Sequence, residues 1–156
     1  MTQAHSNDVL IDAIRDQGML KNLDPHYVHR LAAMALEASF QPEQIIFREG
    51  ETTGYFYLIT SGSVVLEIVA PARHIHVQTL HPGDAMGWSS LLDNGRKHFQ
   101  ARALTRATAL AFDGAEVRKA CEHDPRFGYA IMKRLLQVVT ERVDASRVQI
   151  GRTAPA

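Results

Sequence analysis

The 156-residue sequence is poor in sulfur chemistry, holding one cysteine, Cys121. A single thiol excludes an intramolecular disulfide framework and any multi-cysteine zinc site. Charge of one sign is also lacking: 17 basic residues face 17 acidic ones, for a formal net charge of +0. That balance removes the basic surface on which non-specific nucleic-acid binding depends. No run approaches the roughly 20 apolar residues of a spanning helix, and residues 1–7 carry no signal-peptide pattern. G-x-S-x-G, P-loop, H-E-x-x-H and G-x-G-x-x-G motifs are absent, and carboxylates do not cluster in the strand-rich middle. No catalytic residues, and hence no enzyme, are expected. What is present is a 46% hydrophobic content, enough for one domain with its own core. The expectation is a cytoplasmic, soluble chain without a membrane partner.

The chain divides into a helical start, a strand-rich middle and a helical end. Asn7 or Asp8 opens an amphipathic stretch, Val9, Leu10, Ala13 and Ile14, that Gly18 closes. Asp24-Pro25 reads as an N-cap with proline at the first helical position. Val28, Leu31, Ala32, Ala35 and Leu36 continue that helix on one face. From Phe40 short β-branched and aromatic runs take over, at 45–47, 55–59, 64–69, 75–80 and 101–112, separated by turns such as Ser61-Gly62-Ser63 and Asp93-Asn94-Gly95. Strands so spaced predict an antiparallel barrel or jelly roll. Asp113 and Glu116 have capping-box spacing, and Asp124-Pro125 opens a long helix ending near Gly151. The expected organisation is a tail (1–7), N-terminal helices (8–39), a β-roll (40–112), C-terminal helices (113–150) and a second tail (151–156). The fold class is mainly β with flanking helices, a double-stranded β-helix or jelly roll.

Four segments carry a family likeness. They are Ile46-Phe47-Arg48-Glu49-Gly50-Glu51, the stretch from Tyr55 through Ser61-Gly62-Ser63-Val64, Leu80-His81-Pro82-Gly83-Asp84-Ala85-Met86-Gly87, and Ala101-Arg102-Ala103-Leu104-Thr105. In glycine order and spacing they resemble the cyclic nucleotide-binding domain of the Crp/Fnr type, over residues 8–150. The resemblance implies a ligand cassette after the Gly-Asp turn, where a short helix meets the cyclic phosphate of cAMP or cGMP. It places the ligand-binding residues at Met86, Gly87, Trp88, Ser89, Ser90, Leu91, Arg96, Lys97, His98 and Phe99. Two departures stand out. Trp88 occupies the position of the glutamate that accepts from the ribose hydroxyl, and the family's Arg-Ser/Thr-Ala run is missing. Counting back from Ala103-Leu104-Thr105 puts Lys97 at the phosphate-binding arginine position; counting forward from Gly87 puts His98 there, with Arg96 adjacent. The same three charges beside a glycine turn could equally be a solvated turn. Trp88 either stacks on a purine or, as the favoured reading, fills the pocket.

The last helix carries the partner signal. Gly128, Met132, Leu135, Val139 and Arg142 recur near heptad spacing, with Ile131, Val138 and Ile150 alongside. Core packing accounts for part of this surface, and a homodimer seam for the rest. Only residues 151–156 follow, too few for a helix-turn-helix, so direct DNA binding is not expected and signalling would run through the dimer or an unknown protein partner. His74 and His76 share a strand face near His81 and invite a cupin-like metal reading, but no carboxylate follows in 77–80, so no metal is expected. Cys121 lies in no nucleophile motif and reads as a buried, inert thiol. The favoured function is a non-enzymatic sensor or regulatory domain, with no certain cofactor and a cyclic nucleotide as its candidate ligand. The alternative is a degenerate roll that binds no nucleotide and acts as a dimeric interaction module.

Overall fold

The computed structural model describes residues 2–15, 18–52, 54–93 and 95–153. Helices α1 (Thr2–Arg15) and α2 (Pro25–Met34) precede eight strands: β1 (Ala35–Phe40), β2 (Ile45–Phe47), β3 (Tyr55–Ser61), β4 (Val64–Val69), β5 (His74–Leu80), β6 (Ala85–Met86), β7 (Gln100–Ala103) and β8 (Ala107–Asp113). Helices α3 (Gly114–His123) and α4 (Pro125–Thr153) follow. The strands form two antiparallel sheets, ordered β1-β8-β3-β6 and β2-β7-β4-β5, which face each other as a jelly roll.

Alternation along β3 and β8 builds two cores from one sheet, because successive side chains point to opposite faces. Ile59, Ala107 and Ala109 face the roll interior with Phe40, Phe47, Val64, Leu66 and Leu80. Phe56, Leu58, Leu110 and Phe112 face the helices, meeting Ile14, Val28, Leu31, Phe127 and Ile131. Each such side chain taken fully from water contributes about 1.5–3 kcal/mol. The caps read from sequence form. Asp24 accepts from the amide of His26 at 2.8 Å, Asp113 from Ala115 at 2.8 Å, and Asp124 from Arg126 and Phe127 at 3.2 and 3.3 Å. Arg30 ties α2 to α4, pairing with Asp124 at 3.0 Å while its guanidinium lies 4.6 Å from the Phe127 ring centre.

Several elements differ from the sequence-based expectation. Helix α2 stops at Met34, and Ala35 and Leu36 belong to β1, which pairs Ala35 with Phe112 through to Phe40 with Ala107. Pairing with β8 overrides the local helix preference of Ala-Leu-Glu-Ala. Helix α1 begins at Thr2, ahead of Asn7. The 101–112 run is two strands, broken where Leu104 and Thr105 donate backbone bonds to the Ser63 carbonyl. Helix α4 runs past Gly151 to Thr153. Residues 154–156 of the expected tail, and Asn94 of the expected turn, lie outside the described residues.

The outer face of the second sheet carries a buried carboxylate, Glu67. It accepts from Gln100 Nε2 at 2.8 Å and from two nitrogens of Arg102 at 3.0 and 3.1 Å, while His74 Nδ1 stands 3.4 Å away. Burial alone would raise its pKa. The hydrogen bonds from Arg102 and Gln100, with the Arg102 and His74 charges, outweigh that and hold it below the ordinary carboxylate value. A depressed carboxylate adds stability that is complete above the unfolded value and disappears as pH falls through the folded one. Glu67→Gln should therefore flatten the loss of melting temperature between pH 5 and 3 relative to the wild type. Parallel melting curves across that range would show that Glu67 does not carry the acid sensitivity.

Candidate functional site

The site grows from the turn after β6. Gly87 sits in the left-handed region at φ 78°, and a Cβ there would lie 2.7 Å from the Tyr55 carbonyl oxygen, so only glycine fits. A four-residue 3-10 turn, Trp88–Leu91, follows. Arg118 of α3 anchors that turn, donating to the carbonyls of Ser90 at 2.8 Å and Leu92 at 3.2 Å. The segment opposite is held by the 50–51 loop: Gly50 N donates to Lys97 O at 2.8 Å, and Lys97 N donates to Glu51 O at 3.0 Å.

These two backbone ties point Lys97 inward, where it is 3% exposed. Its Nζ donates to Gly87 O at 3.1 Å and Tyr55 O at 3.4 Å and lies 5.2 Å from the Phe47 ring centre. Burial pushes its pKa down to about 8, against the charge of Glu51, which raises it. Arg142 approaches from α4 and is 4% exposed. Its guanidinium donates to Gln78 Oε1 and to the Ala85 carbonyl, and Nε is left buried without a partner among the described residues. Between them is a cavity of about 20 Å³, also lined by Phe47, Met86, Gly87, Trp88 and Ser89, with room for about one water. Ser89 Oγ is a second buried donor without a hydrogen-bond partner among the described residues.

Outside the cavity an open, largely apolar groove of about 350 Å³ runs between the cassette and α4, lined by Trp88, His98, Phe99, Val139, Val143 and Arg147. Arg142 borders both spaces. Trp88 is half-buried and stacks on the exposed His98, ring centres 5.1 Å apart and planes 20° apart. It forms a wall shared by cavity and groove. The fully buried polar groups of the cavity are Lys97, Arg142 and Ser89.

Of the residues proposed from sequence for the ligand, Met86, Gly87, Trp88, Ser89, Lys97, His98 and Phe99 line one cavity. Ser90 and Leu91 turn away, Leu91 into the helix-side core. Arg96 is exposed and donates to Gly50 O at 3.2 Å. Of the three cations weighed from sequence for the phosphate position, Lys97 is buried, whereas Arg96 and His98 are exposed. Heptad spacing groups Arg142 with the expected dimer seam, but it points into the roll. An arginine on the same helix face as Ile131 and Leu135, a face otherwise apolar, was the available sign that it points inward. Gly128, Ile131 and Leu135 also fall away from an exposed seam. Ile131 and Leu135 are buried in this chain's core, and Gly128 packs on Cys121. Val138 and Val139 are half-buried and Met132 is exposed. His76 bonds Thr79 at 2.8 Å and the His81 amide donates to Asp84 at 2.8 Å. Among the described residues no group of three or more histidine, cysteine or acidic side chains could hold a metal ion.

Residues 37–124 match the family model for the cyclic nucleotide-binding domain, more than half of the chain. The chain belongs to that family. It is 29% identical over 133 residues to the HTH-type transcriptional regulator Cmr of Mycobacterium tuberculosis, covering 83% of this chain and 53% of that protein. It is 26% identical over 127 residues to the CRP-like cAMP-activated global transcriptional regulator of the same species, covering 81% of this chain and 55% of that one. The chain thus spans about half the length of these curated relatives. A cyclic nucleotide-binding domain from Methylobacillus flagellatus superposes with a TM-score of 0.79 at 16% identity, over 96% of this chain and 85% of that one. Among the described residues no helix is long and apolar enough to cross a membrane.

The Lys97 ionisation gives a direct check on this geometry. Its folded pKa of about 8 lies below the ordinary 10.5, so the unfolded chain binds the extra proton between those values. Stability must then rise with pH across that window, by on the order of 3 kcal/mol for this group. Lys97→Met should be more stable than wild type at pH 7 and should lose the rise. Urea unfolding of both proteins at pH 7, 8, 9 and 10 measures the difference; profiles that stay parallel would place the Nζ in water.

Proposed function

We propose that the chain is a non-enzymatic sensor domain for a small phosphate-bearing nucleotide. The ligand sits with its phosphate on Lys97 and its base in the groove beside Trp88, His98 and Phe99. The observation that carries this reading is a lysine held almost fully out of water at the closed end of the cassette, beside an open groove of ligand size. A buried cation of this kind costs stability, which a bound anion repays. Membership of the cyclic nucleotide-binding family makes cyclic AMP and cyclic GMP the first ligands to test. Calorimetry with those two, a cyclic dinucleotide and adenosine 5′-monophosphate should give saturable heat with at least one, abolished in Lys97→Ala. Absence of heat with all four removes the sensor reading. The second reading, a roll that binds no nucleotide, is favoured by the small size of the inner cavity and would then stand.

Output through α4 is part of the proposal, as a homodimer or with a protein partner. Tyr129, Met132, Leu136 and Val143 are 71%, 37%, 66% and 53% exposed. At about 100° per residue they fall within roughly a 60° arc, next to the arc that Ile131, Leu135 and Arg142 turn inward. This stripe is the seam that the chain's own core leaves available. Light scattering behind a sizing column should show a dimer for the wild type and a monomer for Leu136→Glu, with unchanged melting temperature. A wild type that remains monomeric at high concentration would leave the stripe without this role.

A further inference from the structure

We infer that the Gly87 cavity is built for a doubly charged phosphate group, such as the terminal phosphate of a nucleoside monophosphate, held jointly by Lys97 and by Arg142 of α4. The inference rests on the sensor reading above and specifies the chemistry of the ligand.

The polar side chains buried on this cavity are donors. Lys97, Arg142 and Ser89 are 3%, 4% and 3% exposed, and among the described residues no carboxylate lines the space. Asp84 and Glu141 act on Arg142 only through their charge, as Glu51 acts on Lys97. Arg142 Nε and Ser89 Oγ are both buried with no hydrogen-bond partner among the described residues. A buried polar group left unpaired carries a free-energy penalty, larger for a charged one. Two such groups lining one cavity are relieved together by a ligand that brings acceptor oxygens.

Ligand classes differ in what they bring. A cyclic phosphodiester carries a single charge. The ribose hydroxyls, for which Trp88 offers no acceptor, are common to cyclic nucleotides and 5′-monophosphates, so the phosphate charge separates the two classes. A phosphate monoester carries close to two charges at neutral pH and three strong acceptor oxygens. Those oxygens match an ammonium, a guanidinium edge and a hydroxyl.

The entry route follows from the same contacts. The cavity is too small for phosphate as it stands, but it shares Trp88, His98, Phe99 and Arg142 with the open groove. A phosphate arriving from the groove reaches Arg142 first. It competes with Gln78 Oε1 and the Ala85 carbonyl for the guanidinium. Capture of Arg142 by the ligand loosens the bond between α4 and the roll, so occupancy is felt by the helix that carries the exposed stripe.

Calorimetry on the full chain with adenosine 5′-monophosphate, 3′,5′-cyclic AMP and inorganic phosphate tests the inference. The monophosphate should bind at least tenfold more tightly than cyclic AMP. Arg142→Gln should weaken the monophosphate tenfold or more while changing cyclic AMP little, and Arg142→Lys should recover part of the loss. Should Arg142→Gln fail to fold, the wild-type ratio of the two affinities decides. Cyclic AMP binding as tightly as the monophosphate overturns the inference and leaves the sensor reading in place. Silence from every nucleotide overturns both. Inorganic phosphate binding as well as the monophosphate keeps the anion site and assigns it to free phosphate.

Discussion

Strand β8 is the constraint on which the rest of the molecule depends. It lies between β1 and β3, and its alternate residues serve two different cores. Alanines at 107 and 109 leave space inside the roll for Phe40, Phe47 and Leu66, whereas Leu110 and Phe112 fill the layer under α2, α3 and α4. A slip of one residue would exchange small and large faces and spoil both layers at once. That register sets the position of β3, and β3 supplies the Tyr55 carbonyl on which Lys97 is tethered. It also fixes the seat of Phe127 and Ile131, and hence the height at which Arg142 of the same helix meets the roll.

The cation cavity is a local exception to the physics that stabilises everything around it. Glu67 shows how this fold satisfies a buried charge when stability alone is at issue, with Arg102 gripping both carboxylate oxygens and Gln100 adding a third bond. Among the described residues, Lys97 has two carbonyls and an aromatic face. Arg142 has an amide oxygen and a carbonyl there, with one nitrogen unpaired. No salt bridge to a carboxylate is formed by either among those residues. Replacing buried ions of this kind with apolar groups of similar volume is commonly neutral or stabilising. Their presence is therefore better explained by a task than by folding.

Much of the architecture was legible in the residue order because its signals are local. Aspartate-proline caps and glycine turns act within a few residues, and the caps at Asp24 and Asp124 form where the residue order suggests. Strand β1 was not legible. Ala35, Leu36, Glu37 and Ala38 favour helix on their own, and only the partner strand some seventy residues later makes them extended. Strand β6 is too short to show a period. Family likeness points to the cassette but does not single out a buried cation among Arg96, Lys97 and His98, since residue order cannot show that Gly50 and Glu51 clamp the backbone at residue 97. On α4 the heptad spacing mixed two adjacent stripes, and the contacts of the roll were needed to separate them.

That separation bears on how a bound ligand could be felt at a distance. Along α4 the inward arc ends in Arg142, which grips the roll, while the neighbouring arc of Leu136 and Val143 is open to a partner. One rigid helix therefore joins the cavity to the exposed surface with no intervening loop. A ligand shifts such an arrangement only by the difference in its affinity for the two positions of the helix. If the ligand engages Arg142 as inferred above, the difference is concentrated in one guanidinium, which would exchange Gln78 and the Ala85 carbonyl for what enters from the groove. Coupling is then strongest for a ligand whose charge lets it compete for that arginine, and weak for one that rests on Lys97 alone. Selectivity and signal strength in this chain would have the same physical origin.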